Sequence, residues 1–176
     1  MASLNQNDLN LGEPITHSQP VPVSREKVWD VISRPGNLVD FHPFCRSNPV
    51  EIWPGVGSRD NVVYYNGLVL VREFTAWLEG TGYDLIASAQ DDMQFKVYWR
   101  ITTDGDESSA LTLTIRQVIG DSSEKRVKLF SRLLEKYLKQ VGQGFEYYLR
   151  TGERVTRNQF GSHRLFSPPV ATQENQ

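Results

Sequence analysis

Residues 129–149 read Leu-Phe-Ser-Arg-Leu-Leu-Glu-Lys-Tyr-Leu-Lys-Gln-Val-Gly-Gln-Gly-Phe-Glu-Tyr-Tyr-Leu. Leu129, Phe130, Leu133, Leu134, Tyr137, Leu138, Val141, Phe145, Tyr148 and Leu149 recur in steps of three and four, the period of one helix face. The spacing predicts one amphipathic helix of roughly 28 residues, about 40 Å long at the usual rise per residue. Gly142 and Gly144 each give up about 1 kcal/mol of helix propensity. Their presence predicts a bend, or the close approach of another segment.

Upstream, from Pro49 to about Ile119, runs rich in Val, Ile, Thr, Tyr, Phe and Trp alternate with turn residues. The punctuation is Pro54-Gly55-Val56-Gly57, Asn66-Gly67, Gly80-Thr81-Gly82, Gln90-Asp91-Asp92 and Asp104-Gly105-Asp106. Counting between these turns predicts an antiparallel meander of six strands. Asn66-Gly67 is the strongest of the signals, because both residues accept positive φ. Further back, Ser24 offers a helix cap ahead of Val28, Trp29, Val31 and Ile32, and Arg34-Pro35-Gly36 stops that helix. A second short helical stretch around Asn37–Phe41 ends at His42-Pro43, since the residue before proline avoids the helical region. Glu13–Val23 reads as an extended, proline-interrupted edge strand. The Asn/Gln-rich residues 1–12 are expected to form a disordered arm, 13–154 one domain, and 155–176 a partly disordered extension whose Phe160, Leu165 and Phe166 can dock on the body.

The 176 residues, 39% hydrophobic and 23% charged, suit one soluble domain. Nineteen Lys+Arg against twenty-one Asp+Glu, a net charge of −2 and no dense basic block argue against a nucleic-acid partner. No apolar run approaches the ~18 residues of a membrane span, and the first residues are too polar for a signal peptide, so a cytoplasmic protein without stable membrane insertion is expected. Cys45 is the only cysteine, accompanied by three scattered histidines, which excludes an internal disulfide and the usual structural zinc sites. Phosphate loops, metal-ligand clusters and serine-triad motifs are not visible, and no metal or other cofactor is expected.

The order of strand, two short helices, meander and long helix, with Val23-Ser24-Arg25-Glu26-Lys27-Val28-Trp29-Asp30-Val31-Ile32 at the first strand-to-helix junction, resembles the START / Bet v 1-like (SRPBCC) superfamily. That superfamily also holds polyketide cyclase/dehydratase and lipid-transport proteins. The match covers about Ile15 to Arg154, with Gly57-Ser58-Arg59, Arg72-Glu73 and Asp104-Gly105 as supporting landmarks. The resemblance implies an α+β helix-grip fold. In it a seven-stranded antiparallel curved sheet wraps a long C-terminal helix, two short helices join strands 1 and 2, and an apolar cavity lies between sheet and helix. Members include sterol and lipid carriers, hormone receptors, aromatase/cyclase enzymes and quinone-binding proteins, so the fold implies a pocket without naming its ligand. The expected partner is a small hydrophobic molecule, lipid, isoprenoid, quinone or polyketide-like, held by a carrier or sensor. The alternative is a cyclase, aromatase or dehydratase using cavity acid/base residues.

Alternation along each strand assigns the inward residues. Phe95, Val97, Trp99 and Ile101 are expected inside, as are Leu111, Leu113 and Ile115. The run 69–78 is ambiguous, since Leu70 and Phe74 on one face compete with Val69, Val71 and Trp77 on the other. Placing Arg72 outside turns Glu73, Thr75 and Trp77 in. The run 59–65 offers either Val62 and Tyr64 or Val63 and Tyr65. From the long helix, Phe130, Leu134, Tyr137, Leu138 and Val141 are expected to meet the ligand. An inward Glu73 would anchor a hydroxyl or ammonium, or act as a general base; outward, it would sit in a cross-strand ion pair. In the resemblance the Arg-Glu pair matches a position where some members have a cavity-facing Glu. His42, in the segment that forms part of the cavity mouth in the family, is the other acid/base candidate. Trp29 reads as core, and Trp53, Trp77, Trp99 and Tyr83 read either as packing or as stacking surfaces for a flat ligand.

Overall fold

The structure, a computed structural model, describes residues 10–90, 93–120 and 122–171. The first nine residues of the expected arm, Asp91 and Asp92 of one turn, Asp121, and the last five residues lie outside the described residues.

The chain runs β1 (Ile15–Val21), α1 (Arg25–Ile32), α2 (Leu38–Phe41), β2 (Cys45–Ser47), β3 (Val50–Ile52), β4 (Arg59–Tyr64), β5 (Val69–Leu78), β6 (Gly82–Ser88), β7 (Gln94–Thr103), β8 (Ser109–Gln117) and α3 (Glu124–Thr151). The strands form one antiparallel sheet in the order β1-β8-β7-β6-β5-β4-β2, with β3 also paired to β4. The seven expected positions of the sheet are filled by eight strands, because the edge beyond β4 is shared by β2 and β3. Between these two, Asn48 leaves the ladder and joins two elements: its Nδ2 donates to the Asn61 carbonyl at 3.0 Å and its Oδ1 accepts from Leu38 N–H at 3.3 Å. At the opposite edge, pairing starts ahead of β1. Gly12 N–H donates to Gln117 O and Ile119 N–H to Asn10 O, both at 2.8 Å, so residues 10–12 lie along β8.

Local signals account for the helices. The Ser24 hydroxyl accepts from Lys27 N–H at 3.3 Å and caps α1, whose Val28, Val31 and Ile32 are buried. Ser123 caps α3 in the same way, and Gly152, in the left-handed region at φ 73°, ends it. The helix runs unbroken through Gly142 and Gly144. Close approach, the second of the two expectations, explains both glycines. A Cβ on Gly144 would stand 2.1 Å from the Phe41 carbonyl oxygen, and one on Gly142 would stand 2.8 Å from the His17 ring. The C-terminal half of α3 is thus pressed against α2 and β1, and the inner side chains of its N-terminal half face the middle of the sheet.

Beyond α3 the chain returns over the body. Val155 N–H donates to Asp40 O, Asn158 N–H to Pro43 O, and the Asn66 side chain holds Leu165 O at 2.6 Å. His163 and Ser167 bond each other's backbone at 2.8 Å and close a tight turn that buries Phe166. No helix among the described residues is long and apolar enough to cross a membrane.

Candidate ligand-binding site

The strand register places side chains in rows across the inner face. Arg72 is level with Ala87 and Phe95, Phe74 with Leu85, Val97 and Ile115, and Trp77 with Tyr83, Trp99 and Leu113. Phe74 and Trp77 are three residues apart, yet both lie on the inner face. The pairing of β5 with β6 shifts between Phe74 and Ala76, a bulge at Thr75. The bulge resolves the ambiguity of this strand and overturns the assignment drawn from strict alternation.

Glu73 consequently faces out. Its Oε1 accepts from Arg59 Nη1 at 2.8 Å, more than half of its side chain is exposed, and Glu51 joins the same Arg59 at 3.0 Å. The cross-strand ion pair is its arrangement, and it borders an outer groove of about 350 Å³ with Val69, Val71 and Ser88, away from the space between sheet and α3. Thr75 is the bulge residue and does not line that inner space either. Trp77 is on the inner side but packs edge-on against Trp29 and Trp53 and stacks on Tyr83, with ring centroids 5.2–5.5 Å apart. This aromatic cluster fills one end of the space between sheet and helices. Phe130 lies elsewhere, in an outer cleft of about 280 Å³ that it shares with Met93, Gln117 and Val127.

The inward residue missed by alternation is Arg72. It is buried, with Nε on Asp60 Oδ1 at 2.7 Å and Nη2 on Oδ2 at 2.5 Å, and Asp60 is fully buried. Burial pulls the guanidinium pKa down, but the charge and hydrogen bonds of Asp60 prevail and hold it above its ordinary value. Counting outward from a two-residue Asn66-Gly67 loop would set Asp60 opposite Glu73; the loop holds Tyr65 as well, Tyr64 N–H donating to Leu68 O, and this one-residue shift sets Val62 opposite Leu70 and Asp60 opposite Arg72.

Between sheet and α3 lies a cavity of about 60 Å³. Of the residues singled out from the sequence, Phe95, Val97, Trp99 and Leu113 reach it from the sheet, and Leu134, Tyr137, Leu138 and Val141 from α3. His42, Val62 and Tyr64 line it as well, so the inward choice on β4 is Val62 and Tyr64. Phe95 also lines the outer cleft and stands between the two spaces. Phe166, from the C-terminal segment, closes another side, its ring stacked on Tyr64 and tilted on Tyr137 at 4.6 Å from each.

One polar chain crosses this apolar surface. His42 Nε2 is 2.8 Å from the Tyr137 hydroxyl, which is 3.0 Å from the Tyr64 hydroxyl. His42 Nδ1 accepts from Phe44 N–H at 3.2 Å. Burial, with the positive charge of Arg72 adding to it, lowers the His42 pKa to about 3. Burial raises the Tyr137 hydroxyl to about 12 and moves Tyr64 upward too. Cys45 is buried, its thiol pushed up to about 12 by desolvation, and its Sγ–H donates to Ser47 O at 3.3 Å. That is the environment of an unreactive thiol.

A START superfamily protein from Mycobacterium smegmatis superimposes with a TM-score of 0.62 at 15% identity, covering 79% of this chain and 98% of that one. The fold is the helix-grip fold of the START / Bet v 1-like proteins. A Thalictrum norcoclaurine synthase, solved as a point mutant with a transition-state analogue, shares the helix-grip arrangement at a TM-score of 0.63 and 15% identity, covering 82% of this chain and 99% of that one. DynU16, from the dynemicin biosynthetic locus, superimposes at 0.65 and 16% identity over 84% of this chain; the present chain spans about half of its length, 52%. No family model and no curated protein matches this chain.

Proposed function

We propose that this protein binds a small hydrophobic molecule between the sheet and α3, as a carrier or sensor. The observation that carries the reading is the cavity itself: walled by apolar side chains from the sheet and α3, with a few polar groups, His42, Tyr64, Arg72 and Tyr137, in its lining. This is the composition of small-molecule sites in general. At about 60 Å³ the space holds a few waters, well short of the ~150 Å³ in which an engineered apolar cavity takes up benzene. A ligand therefore needs a wall to yield. Phe166 is the candidate, because it sits on a turn outside the sheet and the long helix and its ring lines the cavity beside Tyr64 and Tyr137.

The catalytic alternative calls for a group that exchanges protons near neutral pH. His42 is held at about 3, Tyr137 at about 12, and Glu73 is on the other face of the sheet. These positions favour binding over acid/base chemistry.

The test is titration of the fluorescent probe 1-N-phenylnaphthylamine into the wild type and Phe166→Ala, alongside native mass spectrometry of gently purified protein. Removing the competing ring should tighten probe binding by roughly tenfold, as for any change that populates the binding-competent form. If neither protein takes up the probe and the native spectrum contains only the bare chain, the binding reading is wrong.

A further inference from the structure

The polar chain across the cavity wall has a surplus of hydrogens. Because His42 Nδ1 accepts from the Phe44 amide, the neutral ring carries its proton on Nε2 and donates it to the Tyr137 oxygen. The Tyr137 and Tyr64 hydroxyls then share one contact but own two hydrogens. Whichever of them donates to the other, one O–H remains, and neither hydroxyl makes a further hydrogen bond among the described residues. If Tyr137 donates, the spare hydrogen is on Tyr64; if Tyr64 donates, Tyr137 keeps its own.

The rest of the wall offers nothing to take up that hydrogen. The residues around the cavity include no carboxylate, no side-chain amide and no aliphatic hydroxyl. The nearby carboxylate, Asp60, has both oxygens engaged by Arg72, which itself lines the cavity as a cation. The polar side of the site is therefore a donor surface next to a buried positive charge, and a donor left without an acceptor in an apolar space is unfavourable.

We propose that the ligand carries an oxygen acceptor, a ketone, quinone or carboxylate oxygen, placed against the Tyr64–Tyr137 hydroxyl pair, and that ammonium-bearing molecules are excluded; this rests on the binding reading above. The same oxygen is accepted in either orientation of the hydroxyl chain, so the preference survives a change in which tyrosine presents the hydrogen.

Three compounds with one carbon skeleton separate the possibilities: acetophenone, ethylbenzene and 1-phenylethylamine. Each is titrated into Phe166→Ala, where the vacated ring leaves room for a benzene-sized group, and into the wild-type protein. The ketone should bind roughly tenfold more tightly than the hydrocarbon, the discrimination expected when a buried donor is met rather than left unpaired, and the amine should bind least. In the Tyr64→Phe/Tyr137→Phe double variant the ketone preference should shrink, because both hydroxyls are gone. Equal affinity for ketone and hydrocarbon, or tightest binding of the amine, would overturn the acceptor inference while leaving the binding reading intact. Binding of none of the three to either protein would remove both.

Discussion

Arg72 and Asp60 face each other across β5 and β4 as a bidentate ion pair on the inner face of the sheet, at 2.7 and 2.5 Å, with almost no exposure to solvent. A guanidinium at this depth is tolerated only because the carboxylate offers both oxygens in matching geometry. Asp60→Asn leaves the cation without its counter-charge and should destabilise the protein by about 3–5 kcal/mol. Replacing the pair with Asp60→Leu and Arg72→Met should cost markedly less than the single change. Urea unfolding of the two variants checks the order, and a double variant as unstable as Asp60→Asn would contradict it.

Glu73, the next residue along, should behave in the opposite way. Its pair with Arg59 is solvent-exposed, and such pairs contribute about 0–1 kcal/mol. Glu73→Gln is expected to shift stability by less than that and to leave probe binding unchanged. A loss of binding would mean that Glu73 reaches the ligand after all.

The buried His42 makes stability depend on pH. Its folded pKa, about 3, lies below the ordinary 6.5, so protons bind the unfolded chain more readily than the native one. The neutral ring's contribution is complete above about pH 6.5, and it declines as the pH falls from there toward 3. Arg72 and His163 are the charged and titratable neighbours that reinforce the shift. His42→Phe should abolish this part of the acid sensitivity. Unfolding free energies of both proteins measured from pH 7 to pH 4 should converge by a few kcal/mol toward the acid end. Parallel curves would refute the assignment.

Gly144→Ala should be among the most damaging single-methyl additions in the molecule. The Phe41 carbonyl that the new Cβ would strike is backbone and cannot swing aside, so α2 and α3 must separate. Overpacking of this kind costs about 1–3 kcal/mol, occasionally more. Gly120→Ala, whose Cβ meets nothing within 4 Å, is the control and should be nearly neutral. Thermal unfolding of the two variants makes the comparison.

Much of this architecture is legible in the sequence because it rests on local rules. The three- and four-residue recurrence of Leu134, Leu138, Val141 and Phe145 produces α3, the Ser24 hydroxyl starts α1, and Asn66-Gly67 sets the hairpin that joins β4 to β5. Their order, with the Val23–Ile32 junction, carries the resemblance to the START / Bet v 1-like superfamily, and it is that resemblance that implies the helix-grip fold. Alternation correctly turned Phe95, Trp99 and Leu113 inward, because β7 and β8 pair without interruption.

The tertiary structure alone decided what depends on chain segments far apart or on a one-residue irregularity. The bulge at Thr75 lets Arg72, Phe74 and Trp77 share a face and sends Glu73 outside, and nothing in the composition of β5 announces it, since bulges arise from how two strands twist together. The hydrogen bond from His42 to Tyr137 spans ninety-five residues. Phe166 joins the cavity wall because the His163–Ser167 turn, beyond α3, brings its ring onto Tyr64 of β4. Local periodicity therefore specified the elements and their sequence. The chemistry of the cavity came from long-range packing, which brings together side chains that no spacing rule relates.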